Sequence, residues 1–376
     1  MKRITNILLL TLTLLMTGCG GHSPIDPDPV RPGLYPIDFG ISADLEVESK
    51  ATLIEGDTFD ENGSLVKKGN YKDFGFITLS NLTVDANSDM QPSIFGANGT
   101  EVKYVSNAWT YSPLRYWQAG TYNFVGVMPS SIFNATHNHT STTQPGTGSA
   151  SLTETANGSQ LTLNFGTNGF DLASNQHDLM VAFDNVSNTE GLMGKPDPDN
   201  DNKIRAVNFN FQHQLSLVII KGVNKESMGK IRIDKIEVYG NTAKTAGNMV
   251  FTHDGTKINA SYSLDSQSVT DEDNVYQTIE GAWELAPSAP STEIVSALLV
   301  FPEECDEFYI AVTYTDAYGS TNQVQTKKTS QKLEANWERG KKYTYTFNLY
   351  LDHISFGKPT VTDWVSGGNV DTGIEM

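Results

Sequence analysis

The 376-residue chain is expected to be all-β, folded as two β-sandwich domains in tandem. Three observations predict this. Segments that alternate apolar and polar residues with period two recur along the chain, the pattern of strands with one buried face. Clusters of Gly, Asn, Asp and Pro punctuate these segments, drawing on 32 Gly and 15 Pro in all. No long 3.6-residue apolar pattern competes with them, and many short strands with turn residues between them form sandwiches. The length suits two domains at about 100–200 residues each. Composition also excludes classes of function. A net charge of -18 argues against a nucleic-acid partner, which would need clustered Lys and Arg. Two cysteines are too few for a disulfide scaffold. After the N-terminus no run of about 18 apolar residues offers a spanning helix.

Residues 1–18 are expected to be a signal peptide: Lys2 and Arg3 form a basic start, and Ile7 to Met16 an apolar stretch too short to span a bilayer. Leu15-Met16-Thr17-Gly18-Cys19 resembles the lipobox of bacterial lipoproteins. The resemblance implies that Cys19 is acylated and begins the mature chain; an ordinary signal peptide with a chance cysteine is the other reading. Two or more acyl chains give stable anchoring where one is marginal. Residues 19–36, rich in Gly, Pro and Asp, are a tether.

The first expected domain covers 37–195. It opens on Ile37, Phe39, Ile41, Ala43, Leu45 and Val47, alternating with Asp38, Gly40, Ser42, Asp44, Glu46 and Glu48. Twelve such residues would span about 40 Å. Burial of the apolar six contributes on the order of 10 kcal/mol gross. A sandwich that lost this strand would need another of the same pattern. Leu161, Leu163 and Phe165, then Leu179, Val181 and Phe183, read as further strands, and polar residues 134–160 as a long loop. Residues 188–203, polar and Pro-bearing, read as the boundary.

The second expected domain covers 196–376. Val207, Phe209, Phe211, Leu215, Leu217 and Ile219 read as one strand face. Ile231 and Ile233, then Ile236 and Val238, change phase by one residue, which predicts a β-bulge. Phe308, Ile310, Val312 and Tyr314 alternate, as do Tyr343, Tyr345, Phe347, Leu349 and Leu351. Beyond Ser366-Gly367-Gly368-Asn369 the chain ends in Val370, Thr372, Ile374 and Met376, alternating with Asp371, Gly373 and Glu375. Segment 369–376 is thus a short strand on a Gly-Gly hinge. It could edge its own domain, or complete a neighbour's sheet by β-augmentation.

Four blocks resemble the fimbrillin family, the subunits of type V pili. Asn107-Ala108-Trp109, Arg115-Tyr116-Trp117, Tyr122-Asn123-Phe124 and Pro129 make the first, and His177-Asp178-Leu179-Met180-Val181-Ala182 the second. Phe209 to Ser216 make the third. Trp337-Glu338-Arg339-Gly340-Lys341-Lys342-Tyr343-Thr344-Tyr345 with Asp363-Trp364 make the fourth. The resemblance implies two Greek-key, transthyretin-like sandwiches and polymerisation by strand exchange. It implies proteolysis by a trypsin-like activity, usually after Arg; here Lys50, followed by Ala51, holds the position. The other candidate, Arg31, precedes Pro32, which disfavours many such proteases. Cleavage would make 37–50 a removable first strand, and 369–376 the donor. From the residues alone, Lys50 also reads as an ordinary strand-end charge. Head-to-tail donation does not close, so it builds filaments.

Other sites are set aside. Asp197, Asp199 and Asp201 have calcium-like spacing, but Asn202 and Asn208 stand where an EF-hand needs Gly and Glu. His137 and His139 sit in a polar stretch without a local acid or Cys ligand. Cys305 lies among four acids, which oppose thiolate formation. His213 reads as a buried histidine satisfied by a hydrogen bond. Trp109 and Trp117, with Tyr111, Tyr116 and Tyr122 nearby, read as core rather than a sugar platform. No nucleophile-elbow, zinc-protease or P-loop motif occurs.

The expectation is therefore a structural pilin with a role in adhesion, not an enzyme, with no cofactor and no metal. Its expected partners are neighbouring pilin subunits in a homopolymer, anchor or tip subunits, a trypsin-like processing protease, and the outer membrane through lipid before processing. It would sit at the cell surface, first as an outer-membrane lipoprotein precursor and then in the fimbrium. The alternatives are an unprocessed surface lipoprotein that binds glycan or protein, a pilus anchor, and, more remotely, a secreted β-sandwich hydrolase.

Overall fold

The computed structural model describes residues 36–43, 58–59, 65–67, 74–83, 94–96, 99–106, 108–130, 149–155, 158–164, 178–188, 207–225, 230–240, 244–254, 257–266, 275–287, 289–302, 308–316, 323–328, 333, 335–350 and 353–364. These form strands and no α-helix. The first eleven are β1 (Phe39–Ala43), β2 (Thr58–Phe59), β3 (Leu65–Lys67), β4 (Phe76–Thr83), β5 (Thr100–Val105), β6 (Ala108–Thr110), β7 (Gly120–Met128), β8 (Ser149–Thr155), β9 (Gly158–Asn164), β10 (Met180–Asn188) and β11 (Val207–His213). After two intervening residues come β12 (Ser216–Asn224), β13 (Ile231–Gly240), β14 (Lys244–His253), β15 (Ile258–Ser266), β16 (Val275–Leu285) and β17 (Thr292–Val300). The last five are β18 (Phe308–Asp316), β19 (Gln323–Lys328), β20 (Lys341–Leu349), β21 (Ile354–Phe356) and β22 (Thr360–Asp363).

A seven-stranded sheet runs in the order β1-β11-β10-β7-β4-β5-β6. Its side chains alternate between two cores, as the period of two dictates. Phe76, Tyr122, Phe124, Met180, Phe209 and Phe211 point into an aromatic core. Ile77, Leu79, Val125, Val127 and Val181 point into a larger aliphatic one, which they share with Leu161 and Leu163 of β9 and Met249 and Phe251 of β14. That second face is covered by a sheet ordered β15-β14-β9-β8. Gly126 of β7 has a packing reason to be glycine: a Cβ there would come within 2.8 Å of the Phe211 ring and 3.0 Å of Phe209. Two further sheets, β17-β12-β20-β21 with β22 also on β20, and β16-β13-β18-β19, extend the aliphatic core through Leu217, Ile233, Ile310 and Phe347.

The all-β sandwich architecture matches the sequence expectation, and the bulge in β13 falls between Ile233 and Lys235. Two details differ, the run from Val207 to Ile219 and the 134–160 loop. The expected run from Val207 to Ile219 is two strands in different sheets, parted at Gln214 and Leu215. Alternation persists across that break, so periodicity alone could not show it. Residues 189–203 of the expected boundary lie outside the described residues; on either side of it β11 pairs with β10 and β1, and β14 pairs with β9. The expected 134–160 loop contains β8, whose Ala150 is buried and whose Leu152 packs on the core amid Ser and Thr that mask the pattern. The twelve-residue first strand has its ladder over Phe39–Ala43. Leu45 and Val47 lie outside the described residues.

Candidate functional site

The edge where β1 lies is the site that the first-strand expectation singles out. β1 runs parallel to β11, with Phe39 opposite Val207 and Ala43 opposite Phe211. Among the described residues it is the last strand of its sheet, with one ladder along it. The preceding residues are held on both sides. The Ile37 amide donates to the Arg115 carbonyl at 2.9 Å, and the Val207 amide donates to the Asp38 carbonyl at 2.7 Å. The Tyr111 hydroxyl donates to the Ile37 carbonyl at 2.8 Å. Pro36 bridges to Tyr116. Burial pushes the Tyr111 phenol well above its ordinary pKa; the backbone bond to Arg115 opposes that shift, and the Asp38 charge reinforces it.

Ile37 and Phe39 are buried and Ile41 is half-buried. The Phe39 ring sits in a box of four others: Phe76 and Tyr111 edge-on at 5.5 and 5.6 Å, Phe209 stacked at 5.8 Å, and Phe95 tilted at 5.9 Å. Such pairs are each worth about 0.5–1.5 kcal/mol beyond area burial. Behind the box, Phe76 also meets Trp109, and Tyr122 stacks on Phe124 beside Trp117. Trp117 is buried and Trp109 half-buried, in keeping with the core reading of both. If β1 left, a ring-lined groove would face water, and the Val207 amide and the other β11 backbone groups that face β1 would lose their partners, whereas the Asn208 amide would stay on the Asp184 carboxylate.

A second cluster lies where β11 gives way to β12. The His213 ring is buried against the Asp178 carboxylate, 2.9 Å from its nearer oxygen, which agrees with the satisfied-histidine reading. It stacks on Trp364 with centroids 3.8 Å apart. The Trp364 amide donates to the Gly340 carbonyl, and the Gly340 amide to that of Leu215. The Arg339 guanidinium donates to the Gln214 side-chain oxygen at 3.1 Å. The Ser216 hydroxyl donates to the Glu338 carbonyl at 2.7 Å. Residues from three of the four sequence blocks thus meet at one change of sheet.

Of the expected site residues, Ile37, Phe39, Ile41 and Ala43 fall on this edge. Cys19, Lys50, Ala51, Val370, Thr372, Ile374 and Met376 lie outside the described residues, as do His137, His139, Asp197, Asp199, Asp201 and Cys305. Sequence reasoning missed Tyr111 as a contact of the first strand, because 74 residues separate it from Ile37. It also missed β11 as that strand's partner, because a parallel pair leaves no hairpin to read. Among the described residues no group of three or more metal-ligating side chains assembles.

These features define a class: an all-β sandwich protein whose first strand closes an aromatic core at one sheet edge. The fimbrillin-like family model matches residues 77–364, and the chain belongs to that family. Among solved structures, a fimbrial protein from Bacteroides vulgatus is similar in fold at 15% identity and a TM-score of 0.55, over 88% of this chain and 100% of its own. A candidate cell adhesion protein from Bacteroides ovatus aligns at 13% identity and a TM-score of 0.44, over 89% and 99%. No curated protein matches the chain. The family match and the all-β fold together place the chain among the fimbrillin-like proteins.

Proposed function

We propose that this chain is a structural subunit of a type V pilus that is exported as a lipoprotein through Cys19, cut between Lys50 and Ala51, and polymerised by donor-strand exchange. The released strand is 37–50, and the donor is a terminal segment of a neighbouring subunit, of the kind at 369–376. The partners are other pilin subunits, with anchor or tip subunits at the filament ends, a trypsin-like protease, and the outer membrane before processing.

The observation that supports this reading best is the position of β1 at the end of its sheet, over a core of rings. The physical argument concerns connectivity. While 37–50 is covalently attached, its effective concentration at the groove is in the millimolar range or higher, and a free strand cannot compete. Cleavage removes that advantage and leaves the contacts of Ile37 and Phe39 in place. The groove then favours whichever strand stays close, and a subunit docked head-to-tail supplies one. Main-chain bonds give affinity and alternate side chains give register.

The test is the N-terminus of the protein recovered from cell surfaces, by intact mass. A start at Ala51 in assembled material is the expected result. A lipidated start at Cys19 in every copy would overturn processing and leave an anchored lipoprotein that binds glycan or protein, or a pilus anchor.

A further inference from the structure

The groove under β1 reads more than an alternating strand. Its central position is a box of four rings around Phe39, from Phe76, Tyr111, Phe209 and Phe95. Register into that box is fixed two residues earlier. There the backbone of Ile37 donates to the Arg115 carbonyl and accepts from the Tyr111 hydroxyl, and the Asp38 carbonyl accepts from the Val207 amide. A strand that satisfies those three bonds and runs parallel to β11 must place its next inward residue among the rings. A side chain smaller than phenylalanine leaves a void whose lining loses contact on one side.

The terminal segment of this same chain offers Val370, Thr372, Ile374 and Met376 on its alternating face, and no ring. Whichever residue of 369–376 entered the box, it would be non-aromatic. We propose that this groove selects a strand with an aliphatic residue followed two positions later by an aromatic one. Its preferred occupant after exchange therefore comes from a different subunit of the same structural class, not from an identical copy. The inference rests on the strand-exchange reading above, and it replaces the homopolymer expected from sequence with contact between unlike subunits at this groove.

The test uses the full chain with a site-specific protease site placed between Lys50 and Ala51. After cutting, the fragment ending at Lys50 stays in its groove without a covalent link. Excess synthetic peptides are added, and fragment release is followed by native mass spectrometry. A peptide of residues 36–48 is expected to displace the fragment. The same peptide with Phe39→Thr is expected to be about 100-fold weaker, the size of effect that loss of a buried ring produces. The native 365–376 peptide should rank with the Phe39→Thr peptide. Thr372→Phe or Ile374→Phe should improve it by about tenfold or more, as a filled cavity would. A native terminal peptide as effective as wild-type 36–48, or one indifferent to an added ring, would overturn the inference while leaving strand exchange intact. If wild-type 36–48 displaces nothing, strand exchange itself fails, and this inference with it.

Discussion

Two consecutive strands, β11 and β12, each take a parallel partner, and the partners differ in how they are held. β12 pairs with β20 over eight positions, from Leu217 opposite Lys342 to Asn224 opposite Leu349. β20 is bordered on its other side by β21 and β22. Its inward side chains Tyr343, Tyr345, Phe347 and Leu349 are buried. β11 pairs with β1 over five positions, and among the described residues β1 ends its sheet. The local ladder geometry is the same in the two cases. What separates them is place in the sheet: loss of β20 would split one, whereas loss of β1 would shorten one and leave the rest continuous. The capacity of a strand to detach locally therefore follows from its place in the sheet, not from the pair.

The comparison breaks first on the central pair. Phe347→Ala is expected to destabilise the whole protein by about 3–5 kcal/mol, because the ring is fully buried and the site cannot detach alone. Urea unfolding should show a lowered midpoint with an unchanged slope. Phe39→Ala removes a ring of the same size but acts locally. Exchange of the Val207 amide, which donates to the Asp38 carbonyl, should accelerate about 100-fold, while the urea midpoint falls less than for Phe347→Ala, because β1 can leave without the rest. Equal midpoint shifts for the two variants would mean that β1 is as integral as β20.

The same difference explains what the sequence could show. Strands with a plain alternating face were legible: Tyr343 to Leu349 in β20 and Phe308 to Tyr314 in β18 stand as read. So was the inward set Ile37 and Phe39. The division of sheets was not legible, because Phe211 and Leu215 keep one apolar pattern across a turn that changes sheet. Nor was β8, whose apolar residues are only Ala150 and Leu152 among Ser, Thr and Glu. β22 has no buried side chain, so no apolar alternation marks it. The Tyr111 contact depends on a loop folding back across the core, and no local spacing encodes it.

A sharper form of the comparison removes one atom. Tyr111→Phe keeps the ring against Phe39 but deletes the bond to the Ile37 carbonyl, and should weaken the hold on β1 by about 1 kcal/mol. It should also change the alkaline behaviour. The folded pKa of Tyr111 is raised above its unfolded value near 10 by burial, so the neutral phenol is favoured in the fold. That contribution is complete below about pH 10 and is lost as pH rises toward the folded value. Protection of the Val207 amide should fall in that window in the wild type and fall less in Tyr111→Phe.

The smallest effect belongs to the edge of the other sheet. β22 lies on β20 with all four side chains exposed, and Lys341 is ion-paired to Asp363 across the two strands. The pair is open to solvent, with side-chain exposures of 34% and 63%, so screening leaves it about 0–1 kcal/mol. The hydrogen bond to Asp363 raises the Lys341 pKa, so the contribution holds below the unfolded value near 10.4 and is lost above it. Lys341→Ala should therefore change the urea midpoint little, and the change should vanish in about 1 M salt, where the Debye length shrinks to about 3 Å. The Tyr111→Phe effect, which comes from a neutral, partly buried hydrogen bond, should survive the same salt. If salt erased both, charge rather than burial would be holding β1, and the physical distinction between the two sheet edges would collapse.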